Sequence, residues 1–306
     1  MNWRDKLSKS VFRWSERVLY VDRSIIIMNK PPSLVTQLDP TTTKADGGNL
    51  AKLLDDLKQA LDLPNPPYRV HRLDKVTTGC LVLARSKDVA RQLSTQFRIR
   101  TVDKTYLALV RGGSECFPKR AGQIRVLLKY PDGRASLALE SDLQNPPKPP
   151  RESETDWEVV ASSVASSPHP PFTLLRLKLL TGLKHQLRVH LAQVLNTPIL
   201  GDILHSQGPE VKDPFRLPHE RVYLHASQIS LFRYRRVGGK KQFKIRVFAP
   251  LPPDFVQLCT EAGIPIGEYE RSGGLFKSES GSEDDYQAVA DGEIPDVNGY
   301  WIPEHK

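Results

Sequence analysis

His71-Arg72-Leu73-Asp74-Lys75-Val76-Thr77-Thr78-Gly79 runs directly into Cys80-Leu81-Val82-Leu83-Ala84. The first nine residues set one carboxylate among cations and then turn. Thr77, Thr78 and Gly79 are turn formers, and Gly79 tolerates a positive φ at little cost. The five residues that follow are short and apolar and read as a buried strand. Asp74 then stands on a rigid turn beside Arg72, a neighbour that favours its charged form. A held, ionised carboxylate is the form a covalent nucleophile needs. The same residues also describe an ion pair that only ties a turn together, and these nine positions leave both readings open.

Working outward, Val18-Leu19-Tyr20 and Ile25-Ile26-Ile27-Met28 read as two strands joined at Asp22-Arg23-Ser24. Asn29-Lys30-Pro31-Pro32 stops the second, because proline cannot donate to a ladder. After a Thr- and Gly-rich loop at 39–48, the stripe Leu50, Leu53, Leu54, Leu57, Leu61 predicts a helix over about 50–62, capped by Asn49. Ser86 opens another helix, with Val89, Leu93 and Phe97 on one face. Thr105 to Val110 is a strand by composition. Residues 113–172 look least structured. A hairpin about Pro131-Asp132-Gly133 and a strand at Trp157-Glu158-Val159-Val160 stand between Pro- and Ser-rich linkers.

Thr173 to Leu180 alternates leucine with cations and reads as a strand with a polar outer face. Helical spacing of Leu187, Leu191, Val194 and Leu195 follows at once, ended by Asn196 and Pro198. A strand that turns directly into a helix aims N–H groups and cationic side chains at one spot, which suits phosphate. Ile229 to Val237 and Lys240 to Phe248 form a hairpin, with Gly238-Gly239 favouring a tight primed turn. Seven cations sit on it: Arg233, Arg235, Arg236, Lys240, Lys241, Lys244 and Arg246. They imply a surface that tracks a nucleic-acid backbone, although charged strands also guard sheet edges. Asp254 to Ala262 is a short closing helix.

The formal charge of the 306-residue chain is +9. It is unevenly spread: residues 265–306 hold ten acidic and three basic residues, so the rest of the chain carries +16. A basic body points to a polyanionic partner. The three cysteines, Cys80, Cys116 and Cys259, are far apart and form no Cys-x-x-Cys, which argues against a disulfide framework or a zinc site. No run approaches the length of a membrane span. Residues 1–17 form a basic arm or a targeting segment, since amphipathic basic leaders address mitochondria while Asp5 and Glu16 are unusual in one.

His71-Arg72-Leu73-Asp74-x-x-Thr77-Thr78-Gly79 resembles the signature of the RluA-type RNA pseudouridine synthases. Asn29-Lys30-Pro31-Pro32, Lys104-x-Tyr106, Thr181-Gly182-Leu183-Lys184-His185-Gln186-Leu187-Arg188-Val189-His190 with Ile199-Leu200-Gly201-Asp202, and Leu224-His225-Ala226 resemble further motifs of that family, in order. Leu183 departs from the pattern, which has Arg there, and this puts RNA grip or helix-start geometry in question. The resemblance implies an α/β fold with a mixed, mainly antiparallel sheet in two halves, flanking helices and a central cleft. It implies a catalytic domain over 18–262, with a Pro-rich insertion at about 140–171; the acidic, Gly- and Ser-rich composition of 263–306 reads as a mobile tail apart from local contacts near Tyr300-Trp301. The resemblance implies isomerisation of uridine to pseudouridine in RNA on a flipped-out base, with no cofactor and no metal. Asp74 is then the nucleophile, Tyr106 handles a proton, and Arg188 keeps Asp74 ionised. Arg72 fills the space the base vacates, Leu224 packs on the uracil, and Lys104 and Gln186 contact substrate. The expected partner is ribosomal RNA, or else transfer RNA, with no membrane and a single copy of the chain. The compact layout and basic N-terminus lean to mitochondrial large-subunit ribosomal RNA. A fold-retaining RNA-binding protein without activity is the rival reading.

Overall fold

The computed structural model describes residues 17–36, 44–144, 148–163, 170–206, 217, 221–239 and 241–302, with backbone alone at 44–49. The N-terminal arm, the first half of the 39–48 loop, Lys240 and parts of both Pro-rich linkers lie outside the described residues. In chain order the elements are β1 (Val18–Val21), β2 (Ile25–Lys30), α1 (Lys44–Ala60), β3 (Tyr68–Arg69), β4 (Thr78–Ala84), α2 (Lys87–Arg98), β5 (Asp103–Arg111), β6 (Ala121–Lys129), β7 (Ser136–Leu137), β8 (Arg151–Ser162) and β9 (Phe172–Leu179). There follow α3 (Gln186–Val189), β10 (Leu224–Tyr234), β11 (Gln242–Phe248), α4 (Pro253–Glu261), α5 (Glu268–Ser272), β12 (Gly274–Ser278), β13 (Gln287–Ala288), β14 (Glu293–Ile294) and β15 (Gly299–Trp301). The result is a mixed α/β fold in which β1–β15, β10–β11, β2–β4, β5–β9 and β8–β9 pair antiparallel. The chain divides into two compact units: Met1–Asp103 with Ala226–Leu251 and Gly267–Lys306, and Lys104–His225 with Pro252–Ile266.

In the first unit the strands run β14-β15-β1-β2-β4-β10, continued by β11, β12 and β13. Only the four residues 289–292 separate β13 from β14, so the sheet rolls round and brings its two ends together. Its inside is one apolar core. Leu19, Ile25, Ile27, Cys80, Val82, Leu231, Ile245, Val247, Leu275 and Ile294 are all buried there. Burial pushes the Cys80 thiol up to about 12, so it behaves as a small core residue. Helix α2 seals one side through Leu93 and begins where expected, Ser86 Oγ accepting from Val89 N–H at 3.3 Å.

Several expectations need correction. Helix α1 begins at Lys44, so Asn49 lies inside it; an apolar stripe marks the packed face and not where backbone bonding starts. The Gly-Gly turn is wider than a primed two-residue turn. The last strand pair is Tyr234–Gln242, and Arg235 N–H donates to the Lys241 carbonyl. The acidic segment after 263 is no mobile tail: β12 pairs with β11 over five residues and β15 pairs with β1. Its acids meet the cations of the β10–β11 hairpin. Arg235 pairs with Glu279 and Asp296, Arg246 with Glu283, and Lys277 with Asp296. Arg233 is buried against Asp22 and Lys244 pairs with Asp103. Four of the seven cations read as an RNA surface are therefore spent inside the unit.

In the second unit the order is β5-β9-β8-β6-β7. Strand β8 is twelve residues long and bonds to β6 on one side and β9 on the other. The stretch read as a Pro-rich insertion thus supplies a central strand, because prolines at 149 and 150 only precede it. The β6–β7 hairpin forms with a short second arm, Leu128 opposite Leu137. Pro198 to Leu200 lies along β5: Arg111 N–H donates to the Pro198 carbonyl and Leu200 N–H to the Leu109 carbonyl.

Candidate active site

The Asp74 loop belongs to the first unit, and its backbone is fixed on both sides of the carboxylate. Thr36 Oγ donates to the Leu73 carbonyl at 2.6 Å and accepts from Leu73 N–H at 3.0 Å. Lys30, at the end of β2 and fully buried, donates to the carbonyls of Pro31, Leu34 and Lys75 at 2.9, 2.9 and 3.1 Å. Three carbonyl acceptors match the three N–H groups of an ammonium. Burial nonetheless pushes Lys30 down to about 7, against the opposing pull of the Asp74 charge. Thr77 N–H donates to the Asp74 carbonyl at 3.1 Å and closes the turn. Gly79 then takes φ 105°, and a Cβ there would run into the Ala226 carbonyl. No other residue fits that strand start.

The Asp74 side chain itself stays 16% exposed, with the Arg72 guanidinium 3.9 Å away and 43% exposed. The cation is thus near without forming a close bidentate pair. His71 fastens the loop to the rest of the unit: its Nε2 accepts from Val82 N–H at 2.8 Å and its ring stacks on Phe97 at 4.7 Å.

The other expected residues, Lys104, Tyr106, Gln186, Arg188 and Leu224, belong to the second unit. Tyr106 lies on β5 opposite Leu177 and is 7% exposed. Lys104, at the start of the same strand, approaches Gly182. Leu224 is buried at the start of β10. Gln186 is the one the structure removes from the substrate side. It is 2% exposed, its Oε1 accepts from Thr181 Oγ and Leu183 N–H, and its Nε2 donates to the Glu154 carbonyl and Thr155 Oγ. Every hydrogen-bonding site on its amide is taken within the protein.

That bonding also bears on the helix-start geometry that Leu183 put in question. Its N–H is held by Gln186, so the helix start is intact, and its side chain packs on the buried cluster of Leu128, Ala135 and Val189. The position has become an apolar anchor for the β6–β7 hairpin. Past this start the helix is only one α turn, widening into a π turn over His190–Val194. His190 is buried with Nε2 2.8 Å from Ser153 Oγ. Because that hydroxyl donates to the Val126 carbonyl, the imidazole is the donor between them. Burial pushes His190 down to about 4.

Arg188 is held by a residue given no role in the sequence reading. Its Nε and Nη2 donate to Asp202 Oδ2 and Oδ1 at 2.7 and 2.6 Å, and both side chains are buried. Lys30, Thr36 and Asp202 were thus missed as supports. A lysine among prolines and a lone threonine carry no local signal of burial. Among the described residues no three His, Cys, Asp or Glu side chains gather closely enough to hold a metal, and no helix is long and apolar enough to cross a membrane.

Comparisons with known proteins agree on one family. The model for RNA pseudouridylate synthase matches residues 24–193. The mitochondrial RNA pseudouridine synthase 4 of Arabidopsis thaliana is 34% identical over 219 residues, covering 65% of this chain and 42% of that protein. The dual-specificity RNA pseudouridine synthase RluA of Yersinia pestis is 31% identical over 233 residues, covering 74% of this chain and 97% of that protein. Among solved structures, the human RNA pseudouridylate synthase domain-containing protein 4 superposes with a TM-score of 0.58 at 25% identity, covering 87% of this chain and 98% of that one. Motifs, fold and relatives converge, and the chain belongs to the RNA pseudouridylate synthases of the RluA type, isomerases that act on RNA.

Proposed function

We propose that this chain isomerises a specific uridine in structured RNA, with Asp74 as the nucleophile. The observation that carries this is the clamped loop of Lys30, Thr36 and Thr77, which fixes the Asp74 backbone and leaves its carboxylate partly exposed beside Arg72. The target base leaves its stack, at a cost of a few kcal/mol, and Arg72 takes its place. The N1–C1′ bond breaks, the uracil rotates, and C5 joins C1′. The proton on C5 is lost to solvent and N1 gains one, so atoms balance within the nucleotide. Tyr106 faces the uracil and moves a proton, Leu224 packs on the ring, Lys104 holds the flanking backbone, and Arg188 stabilises the ionised Asp74.

For the target we favour ribosomal RNA of the mitochondrial large subunit. The mitochondrial plant relative and the basic N-terminal segment support that choice, while the dual-specificity relative makes transfer RNA the second candidate. The chain works as a single copy away from membranes. Release of tritium from RNA carrying C5-labelled uridine tests the reaction. Wild-type protein releases the label, Asp74→Ala releases none, and Tyr106→Phe slows release by about 10²–10³-fold, the worth of a positioned proton donor or acceptor. Normal release by Asp74→Ala removes that residue from the mechanism. Transcriptome-wide mapping of pseudouridine with and without the protein names the RNA.

A further inference from the structure

Arg188 is more tightly held than binding alone requires. Asp202 takes two of its N–H groups in a fork, and Asp202 Oδ1 also accepts from His205 N–H at 3.2 Å. The turn that brings Asp202 there is fixed by Gly201, at φ 80°, where a Cβ would collide with the Arg221 carbonyl. On the other side, Arg188 Nη1 lies 3.5 Å from His185 Nε2, and His185 Nδ1 lies 3.0 Å from His205 Nε2.

The tautomers follow from these contacts. The guanidinium can only donate, so His185 Nε2 is bare and its proton sits on Nδ1. His185 therefore donates to His205, whose Nε2 is bare in turn. His185 also adopts φ 55°, a left-handed backbone that is strained for a non-glycine residue. The surroundings thus hold strain at the residue whose ring meets Arg188.

We infer that Asp202 is a positioning residue for the isomerisation, and that with the His185–His205 pair it forms a shelf fixing Arg188 in one orientation. Nε and one Nη2 hydrogen are committed to Asp202 and one Nη1 hydrogen to His185, which leaves the second hydrogens of Nη1 and Nη2 for an anionic partner. This rests on the reading of Arg188 as the cation that serves the nucleophile.

The test is a double-variant cycle read as single-turnover rate and, separately, as RNA affinity by filter binding. Asp202→Asn keeps the shape and removes the charge. It is expected to slow turnover on the order of 10–100-fold, the range for groups that orient a functional side chain, with RNA affinity little changed. Arg188→Lys is expected to slow it comparably, and the two together to be no slower than Arg188→Lys alone, because residues acting as one unit are not additive. A His205→Gln variant, whose side-chain oxygen can still accept from His185, is expected to retain most of the rate, while His205→Leu loses part of it. If Asp202→Asn does not fold, the two His205 variants carry the test. Full turnover by Arg188→Ala refutes the role of Arg188 itself. Slow Arg188→Ala with wild-type Asp202→Asn, additive losses in the cycle, or equal rates for the two His205 variants refute the shelf and leave Arg188 in place.

Discussion

Asp74 and Arg188 are both fixed, but in opposite ways. Asp74 is held through its backbone: Thr36 grips the residue before it and Lys30 the carbonyl of the residue after it, while the carboxylate itself remains partly exposed. Arg188 is held through its side chain, which is buried and forked onto Asp202. The difference fits the two jobs proposed for them. A carboxylate that is to attack substrate is best positioned through its backbone. A cation that stabilises charge forms no bond, so most of its donors can be committed beforehand and no reorganisation is needed during reaction.

Three measurements break or sharpen this contrast. The largest effect is expected from Asp74→Ala. Turnover is lost, and because Thr36, Lys30 and Thr77 hold the loop through its backbone, the variant is expected to remain folded, as checked by denaturant unfolding. A strongly destabilised Asp74→Ala would show that the carboxylate is itself a structural prop. Lys30→Met is intermediate. It removes the donor from three buried carbonyls and is expected to cost about 3 kcal/mol or more in denaturant unfolding, with slower turnover because the loop behind Asp74 loosens. Unchanged stability would mean that the clamp is dispensable.

The smallest effect on turnover comes from His190, beside the Arg188 turn, and its signature is in stability. Its folded value of about 4 lies below the ordinary 6.5, so the unfolded chain takes up the proton first as pH falls. Its contribution is complete above pH 6.5 and is lost between about 6.5 and 4, on the order of 3 kcal/mol in all. His190→Asn is expected to flatten that part of the stability–pH curve. An unchanged slope would locate the acid sensitivity elsewhere.

Much of this was legible from local pattern. Gly79 announced a positive φ, Ser86 a helix start, and the leucine alternation of 173–180 a strand, because each depends on near neighbours in sequence. What failed depends on distant partners. Only Trp157–Val160 of β8 read as strand, because prolines and serines flank it, yet pairing with β6 and β9 extends it to twelve residues. Gln186 was assigned to substrate by its motif, and only the folded chain shows Glu154, Thr155 and Thr181 using up its amide. Lys30 reads as a surface lysine until three carbonyls surround it. The acidic segment reads as solvated because its compensating cations lie on β11 and at Arg235.

The rolled sheet has a consequence for assembly. Tyr20 takes its place opposite Trp301, so the first strand of this unit waits for its last before its outer row of amides is satisfied. Pairing so remote in sequence carries a large loop-closure penalty and makes for a slow, late step. During synthesis the unit that presents Asp74 cannot be finished until the acidic segment has left the ribosome. Competence for modifying RNA is thereby tied to having made the chain through to that segment.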